Sequence, residues 1–474
     1  MEEFEYSGKW WLPEIPDGKM FGTLRFDPEK NIKLELKGPF KDIDKPNTIQ
    51  NPKIILGETS NGKQVTLYKC YGSTPIFPIS FWSEISLVIS FVFIGHHFEK
   101  EEDIIFDTMS LNYSNLDEWV GINGLSAKWG ESPQGYSYVS RIDYIYPQKI
   151  EIQLKDFNIA LNYMLSFNGI TRFEYKLKQT NTLKIETFKP TDFHSYMNIC
   201  NNFQNFLSLA EGEAVYPLSI KAETKECQTT LSSGEIVYND ISIFYPIRGC
   251  SKSTKKLISH DMLFSFQDIS ADFEKYLNNW FSKAENLKPV YDLYFGTLYN
   301  SPMYLQHAFS SLIQAVETYH RRAHGGKYLE DDNYSENVLP IFIESIPETL
   351  TQDFRESLKG KFEYLNEFSL RKRLQEILKS FGNLTDHIIE NKRIFIEDVV
   401  DTRNYFTHFD KKLEKKAKKG KELYILTQQI KFVLEVCLLK ELGLPDVTIE
   451  TVMSRNQRYI QLWQDIQEQK KIIQ

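Results

Sequence analysis

The chain has 474 residues, of which 41% are hydrophobic and 25% charged, and its formal net charge is −8. Such a length calls for two or three domains, and the composition excludes broad disorder. The negative balance excludes a surface coated with cations for nucleic acid, so any polyanion site has to be a local patch. The first residues, MEEFEYSGKWW, lack the basic-then-apolar layout of a signal peptide. The longest apolar stretch, Ile85 to Gly95, is far short of the ~18 residues of a membrane span. Cys70, Cys200, Cys227, Cys250 and Cys437 are scattered and never spaced CxxC. That usage is expected of reduced thiols, without a disulfide framework or zinc knuckle. The expectation is a cytoplasmic protein that does not enter a membrane.

In chain order, the first half reads as strands. GTLRFDP and IKLELKG alternate, with Leu24 and Phe26, then Ile32, Leu34 and Leu36, on one face. IILG and VTLYKCYG flank Ser60-Asn61-Gly62, a hairpin turn whose glycine accepts positive φ. ISLVISFVFIG is apolar on both faces and reads as a central, fully covered strand. IEIQLKDF, RFEYKLKQ, TLKIETF and ISIFYPI continue the alternation, interrupted by a helix, DFHSYMNICNNFQNFLSLA, capped by Thr191 or Asp192. After about Lys252 apolar residues recur at three and four, in segments at 264–287, 302–323, 354–381 and 421–443. The stretch Gly325 to Pro340 reads as a polar loop, and the tail from Glu450 as one more helix. The fold class is therefore α+β with two domains: a β-rich half, sandwich or distorted barrel, followed by an all-α bundle. The boundaries expected are 1–250 for the β-rich domain, 251–300 for a helical connector, 301–445 for the bundle and 446–474 for a C-terminal helix.

Four stretches carry residue types that chemistry uses. Gly57 to Gln64 satisfies GxxxxGK, but Gln64 replaces the hydroxyl that Mg²⁺ needs and a strand follows, so it reads as a hairpin. Asp27, Glu35 and Lys37 have the order found in Mg²⁺-dependent nucleases, yet Glu35 and Lys37 lie on the polar face of a strand, where charge is expected anyway. In ETYHRRAH, His320 and His324 have metal-binding spacing, but Arg321 and Arg322 would repel a divalent ion. A cationic helix end, with either arginine free to meet a phosphate, fits better.

The fourth stretch is DVVDTRNYFTHFDKKLEKKAKKGK, Asp398 to Lys421. Asn404 and His408 are four apart on a helix, and the long fork of Arg403 reaches the same patch. A histidine near pKa ~6.5 can take and give protons at neutral pH, and an arginine stabilises a phosphoryl oxyanion. That pair suffices to cleave RNA, whose 2′-hydroxyl is the nucleophile. Between Lys411 and Lys421 stand seven lysines and one glutamate. Lys411, Lys412, Lys415, Lys416, Lys418 and Lys419 are the candidate phosphate contacts. On spacing alone, the alternative is a solvated helix end.

RNYFTH resembles the RxxxxH signature of HEPN ribonuclease domains, with a polar residue directly after the arginine. GKWWLPE (Gly8 to Glu14), GTLRFDP, LDEWVGINGL (Leu116 to Leu125) and FQNFLSLAEG resemble the N-terminal domain of ApeA-type HEPN proteins of bacterial anti-phage defence. The resemblance implies a metal-independent endoribonuclease acting in abortive infection, with no cofactor. It also implies a β-rich sensor of a phage protein trigger that restrains the RNase, and at least a homodimer through the helical half. The substrate implied is tRNA or another host or phage RNA. Carried over by position, the site residues are Arg403, Asn404 and His408, with Glu317 and the Arg321/Arg322 pair in support on the preceding long helix. The other reading is a non-catalytic HEPN protein that binds RNA or a partner, its histidine merely packed.

Overall fold

Alternation in the first half produces antiparallel pairing throughout. β1 (Phe4–Leu12), β2 (Ile15–Asp27), β3 (Asn31–Leu36), β4 (Ile54–Thr59), β5 (Gln64–Gly72) and β6 (Ile85–Ile94) pair in the order β6-β3-β2-β1-β4-β5. β5 pairs back onto β6, which closes a six-stranded barrel. These are coordinates of a computed structural model, which describes residues 1–38, 40, 51–72, 85–131, 133–135, 137–168, 174, 176–232, 234–247 and 256–473. Cys250 and the start of the RFEYKLKQ segment lie outside the described residues.

The expected inward face holds. Leu24 stands opposite Leu34 and Phe26 opposite Ile32, and all four are buried in the barrel core. Trp10 fills that core with its Nε1 donating to the Gly22 carbonyl at 3.2 Å. Its ring lies so close to Gly57 that an added Cβ there would sit 2.2 Å from it, so only glycine fits. The β4–β5 turn has Gly62 at φ +77°, as read, which disposes of a phosphate loop at that position. β6 is central, bonded to β3, β5 and β16, but it is not fully covered. Val88 is 43% exposed, because only the Val92–Ile94 end is buried on both faces, while Leu87 and Ile89 are buried on one.

Beyond the barrel come β7 (Ile105–Tyr113), α1 (Leu116–Val120), β8 (Leu125–Glu131), β9 (Ser137–Tyr144), β10 (Ile150–Gln153), β11 (Phe157–Asn168) and β12 (Lys176–Asp192). They are followed by α2 (Phe193–Glu211), β13 (Pro217–Glu223), β14 (Gln228–Thr230), β15 (Ile236–Tyr238) and β16 (Ile241–Phe244). The sheet leaves the barrel at β6 and runs β16-β13-β7-β12-β11-β10, while β8–β9 and β14–β15 form separate hairpins. IEIQLKDF is divided between β10 and β11, and the two segments after it join into one strand, β12. α2 begins at Asp192, whose carboxylate accepts from the Ser195 N–H at 3.0 Å, and ends at Gly212 with φ +68°.

The chain divides into two compact units, Met1–Asn278 and Asn279–Gln474. The helices are α3 (Phe266–Ile269), α4 (Phe273–Tyr299), α5 (Leu305–His324), α6 (Asp331–Asn333), α7 (Leu339–Glu344), α8 (Gln352–Glu363), α9 (Leu370–Ser380), α10 (Lys392–His408), α11 (Gly420–Leu442), α12 (Asp446–Arg455) and α13 (Gln457–Ile473). Four readings needed correction here. α4 runs on through Pro289, because Val290, Tyr291, Tyr294 and Phe295 are buried and Tyr291 stacks on Trp280 at 4.4 Å. The 354–381 segment breaks into α8 and α9, the second capped by the Ser369 hydroxyl. The 325–340 stretch is a loop only at its start and then turns helical. The tail breaks at buried Asn456, whose side chain accepts from the Arg458 N–H at 3.0 Å.

Candidate active site

α10 starts at Asn391, whose side chain accepts from the Ile394 N–H at 3.1 Å. Phe395, Ile396, Val399 and Thr402 turn inward, whereas Ile394 is 53% exposed. Arg403 lies at the edge of this buried stripe, with 37% of its side chain exposed. Asn404 and His408 point further outward, and His408 is the last residue of the helix.

The Arg403 fork is held from two sides. Its Nη1 donates to Asn404 Oδ1 at 3.1 Å, and its Nη2 lies 3.7 Å from Glu317 Oε2 on α5. Glu317 also faces Arg321 at 3.9 Å, and Arg321 pairs with Glu367 at 2.9 Å. Among the described residues His408 bonds to neither Arg403 nor Asn404 and has no other polar partner. Cation and amide are therefore brought together within one chain, while the imidazole stands apart.

Past His408 the chain turns at once. Phe409 takes the left-handed conformation at φ +51°, costly for a side chain with a Cβ, and its N–H bonds the Tyr405 carbonyl at 2.6 Å. Its ring is 68% exposed.

The lysine run is less free than its sequence implies. Lys418 pairs with Asp398 at 3.2 Å and its N–H bonds the Thr402 hydroxyl, Lys416 is 4.0 Å from Asp401, and Lys419 pairs with Glu414 at 3.2 Å. Lys411, Lys412 and Lys415 are exposed, and among the described residues their ammonium groups have no carboxylate partner.

His320 is not part of a cationic helix end. It is buried beside Arg373, itself buried, whose Nη1 lies 3.1 Å from His320 Nδ1. Guanidinium only donates, so Nδ1 accepts and the proton sits on Nε2, which donates to Glu376 at 3.0 Å. Burial, first, lowers the His320 pKa and keeps the ring neutral. With both nitrogens engaged, the His320/His324 pair has no donor set for a metal. Arg373 also donates to the Gly325 carbonyl at 2.9 Å and the Phe368 carbonyl at 3.1 Å, closing the end of α5 onto α9. This brace escaped sequence reading because Arg373 and Glu376 look like ordinary surface charges of an amphipathic helix. Arg322 is exposed and outside the network.

The early carboxylates are engaged otherwise. Arg25 bonds Glu5 at 2.9 Å and Glu35 at 2.6 Å, and Asp27 holds Lys30 at 2.9 Å. Among the described residues no group of three or more His, Cys, Asp or Glu is placed to hold a metal ion, and no helix is long and apolar enough to cross a membrane.

The helical half is a HEPN domain: residues 310–448 match the family described as Apea-like HEPN. Residues 5–280, more than half of the chain, match ApeA N-terminal domain 1. The chain belongs to the ApeA family, and the two domains together support a HEPN nuclease-type protein of anti-phage defence. No curated protein and no solved structure matches it.

Proposed function

We propose that the protein is a metal-independent endoribonuclease of abortive infection, acting in the cytoplasm as at least a dimer. Arg403, Asn404 and His408 form the site in this reading. The observation that carries it is the Arg403 fork, pinned by Asn404 and Glu317, on the same helix that ends in an exposed His408 with no polar partner among the described residues.

The step needs no metal. The 2′-oxygen of the substrate bonds to the adjacent phosphorus as a base takes its proton, and the bond from phosphorus to the 5′-oxygen breaks as an acid protonates it. Neutral imidazole serves as the base and imidazolium as the acid, so histidines from two copies supply both transfers. Arg403 stabilises the charge gathering on the phosphoryl oxygens, and Asn404 and Glu317 fix its fork in place. Phe409, exposed beside His408, offers a face on which a base can stack. The products are a 2′,3′-cyclic phosphate and a 5′-hydroxyl.

The β-rich half serves as the sensor of a phage protein trigger and restrains the RNase. Domain limits of 1–250, 251–300, 301–445 and 446–474 remain our working division. Sequencing RNA ends after induction of wild-type and His408→Ala proteins tests the chemistry. Cyclic phosphate ends formed in the presence of EDTA by the wild type alone are expected. Ends bearing a 5′-phosphate, or cleavage abolished by chelator, would overturn it.

A further inference from the structure

A cavity of about 530 Å³ opens where α9 meets the first turn of α10. Arg371, Gln375 and Lys379 line it at four-residue steps along α9, and Lys392, Arg393 and Ile396 line it from α10. The Lys392 ammonium bonds the Gly382 carbonyl at 2.7 Å, which fastens the end of α9 to the start of α10. Lys392 also pairs with Asp386 at 2.9 Å and Arg393 with Glu397 at 3.1 Å, so those two cations are partly neutralised. Arg371 and Lys379 are different: among the described residues neither has a carboxylate partner. The cavity therefore carries an unbalanced positive charge, and the N-terminal dipole of α10 adds to it.

Its position relative to the candidate site gives the charge a direction. Lys392, Ile396 and Arg403 follow one another at steps of four and seven, which puts them on one stripe of α10. From Arg393 to Arg403 the helix rises by about 15 Å, long enough for a single strand to contact both ends of it. The lysine run lies at the other end of α10, beyond His408. A strand passing over His408 thus meets cations on both sides of it.

We infer that the Arg371/Lys379 cavity binds the phosphate backbone of single-stranded RNA on the side of the site opposite the lysine run, making α10 the axis of the substrate path. The inference rests on the reading of the protein as an RNase. Among the described residues no aromatic side chain lines the cavity, so it holds phosphates and adds affinity without sequence preference.

The test is made in the full-length His408→Ala protein, so that a fluorescent single-stranded RNA stays intact while its anisotropy is followed from 50 to 200 mM salt. Arg371→Gln with Lys379→Gln removes two contacts. The log–log salt slope should fall by about 1.4, so that the affinity lost over that range shrinks about sevenfold. Arg371→Lys with Lys379→Arg preserves the charge and should retain the parent slope. Equal slopes and affinities in parent and glutamine variant overturn the inference, as does an equal loss in the charge-preserving variant. A parent that binds RNA with the expected slopes, next to a wild type that cuts none, would instead refute the RNase reading and leave the phosphate path standing.

Discussion

At the scale of single residues, Arg403 and His408 differ in what their removal should do. Among the described residues His408 touches no polar group, so His408→Ala should abolish cleavage while shifting stability by no more than about 0.5 kcal/mol. Retained cleavage in that variant would contradict the assignment. Arg403 is partly buried against Glu317, so Arg403→Ala should abolish cleavage and also cost about 1 kcal/mol, read as a lowered thermal midpoint. Glu317 was legible only as a neighbour of the arginines; its approach to Arg403 depends on how α5 packs against α10, which no local pattern encodes. The residue least legible was Glu211, at the end of α2. It is fully buried, with one oxygen bonded by Asn115 at 3.2 Å and the other without a partner among the described residues, and burial raises its pKa well above the ordinary carboxylate range. The folded state thus keeps a proton that the unfolded chain releases above pH ~4.5. Stability from this group is complete below that pH and is lost as pH rises toward the folded value. Glu211→Gln should flatten that decline in denaturant midpoints between acid and neutral pH, and an unchanged pH profile would show the group to be ionised in the fold.

Among elements, alternation located about half of the strands, among them β2 to β6, β12 and β16, three–four spacing located the long helices, and Asp192 was readable as the start of α2. The barrel closure was not, since pairing of β5 with β6 follows from strand twist and the length of the intervening connection. Breaks inside helical patterns were missed for a common reason: Asn456 and Ser369 stop helices by capping bonds, while Pro289 fails to stop one because its neighbours are buried. The end of α5 depends on a contact that its own sequence does not announce. Gly326 stands at φ +94°, and an added Cβ there would lie 2.6 Å from Arg373 Nη1. Gly326→Ala should therefore cost about 1–3 kcal/mol through strain and displacement of the arginine. Arg373→Ala should cost more, about 3–5 kcal/mol, because it leaves buried carbonyls and His320 without their donor. Equal thermal midpoints for wild type and Arg373→Ala would refute the brace. The lysine run separates in the same way. Glutamine at Lys411, Lys412 and Lys415 should lower the salt slope of RNA binding by roughly 2, at about 0.7 per contact, without unfolding. At Lys418, substitution should mainly loosen the α10–α11 connection, because that ammonium already faces Asp398.

For the whole molecule, the geometry bears on how many copies make one active site. One chain brings together Arg403, Asn404 and Glu317, and α10 contributes one histidine, His408, whereas the proposed reaction moves two protons in opposite directions. A second α10 facing the first would provide the missing imidazole, and a two-fold arrangement would do so with one self-complementary surface. The composite site then fails if either copy lacks His408. Mixing wild-type and His408→Ala chains, with time for subunits to exchange, should reduce cleavage with the square of the wild-type fraction. An equal mixture would keep about a quarter of the activity, where independent sites would keep about half, as random pairing by mass action requires. Sedimentation of the His408→Ala chain alone has to show the same dimer as the wild type, because His408→Ala chains unable to dimerise would also leave activity proportional to wild type. A strictly proportional decline, or full activity in a species that sediments as a monomer at assay concentration, would mean that one chain completes the reaction alone and that the acid has to be sought elsewhere.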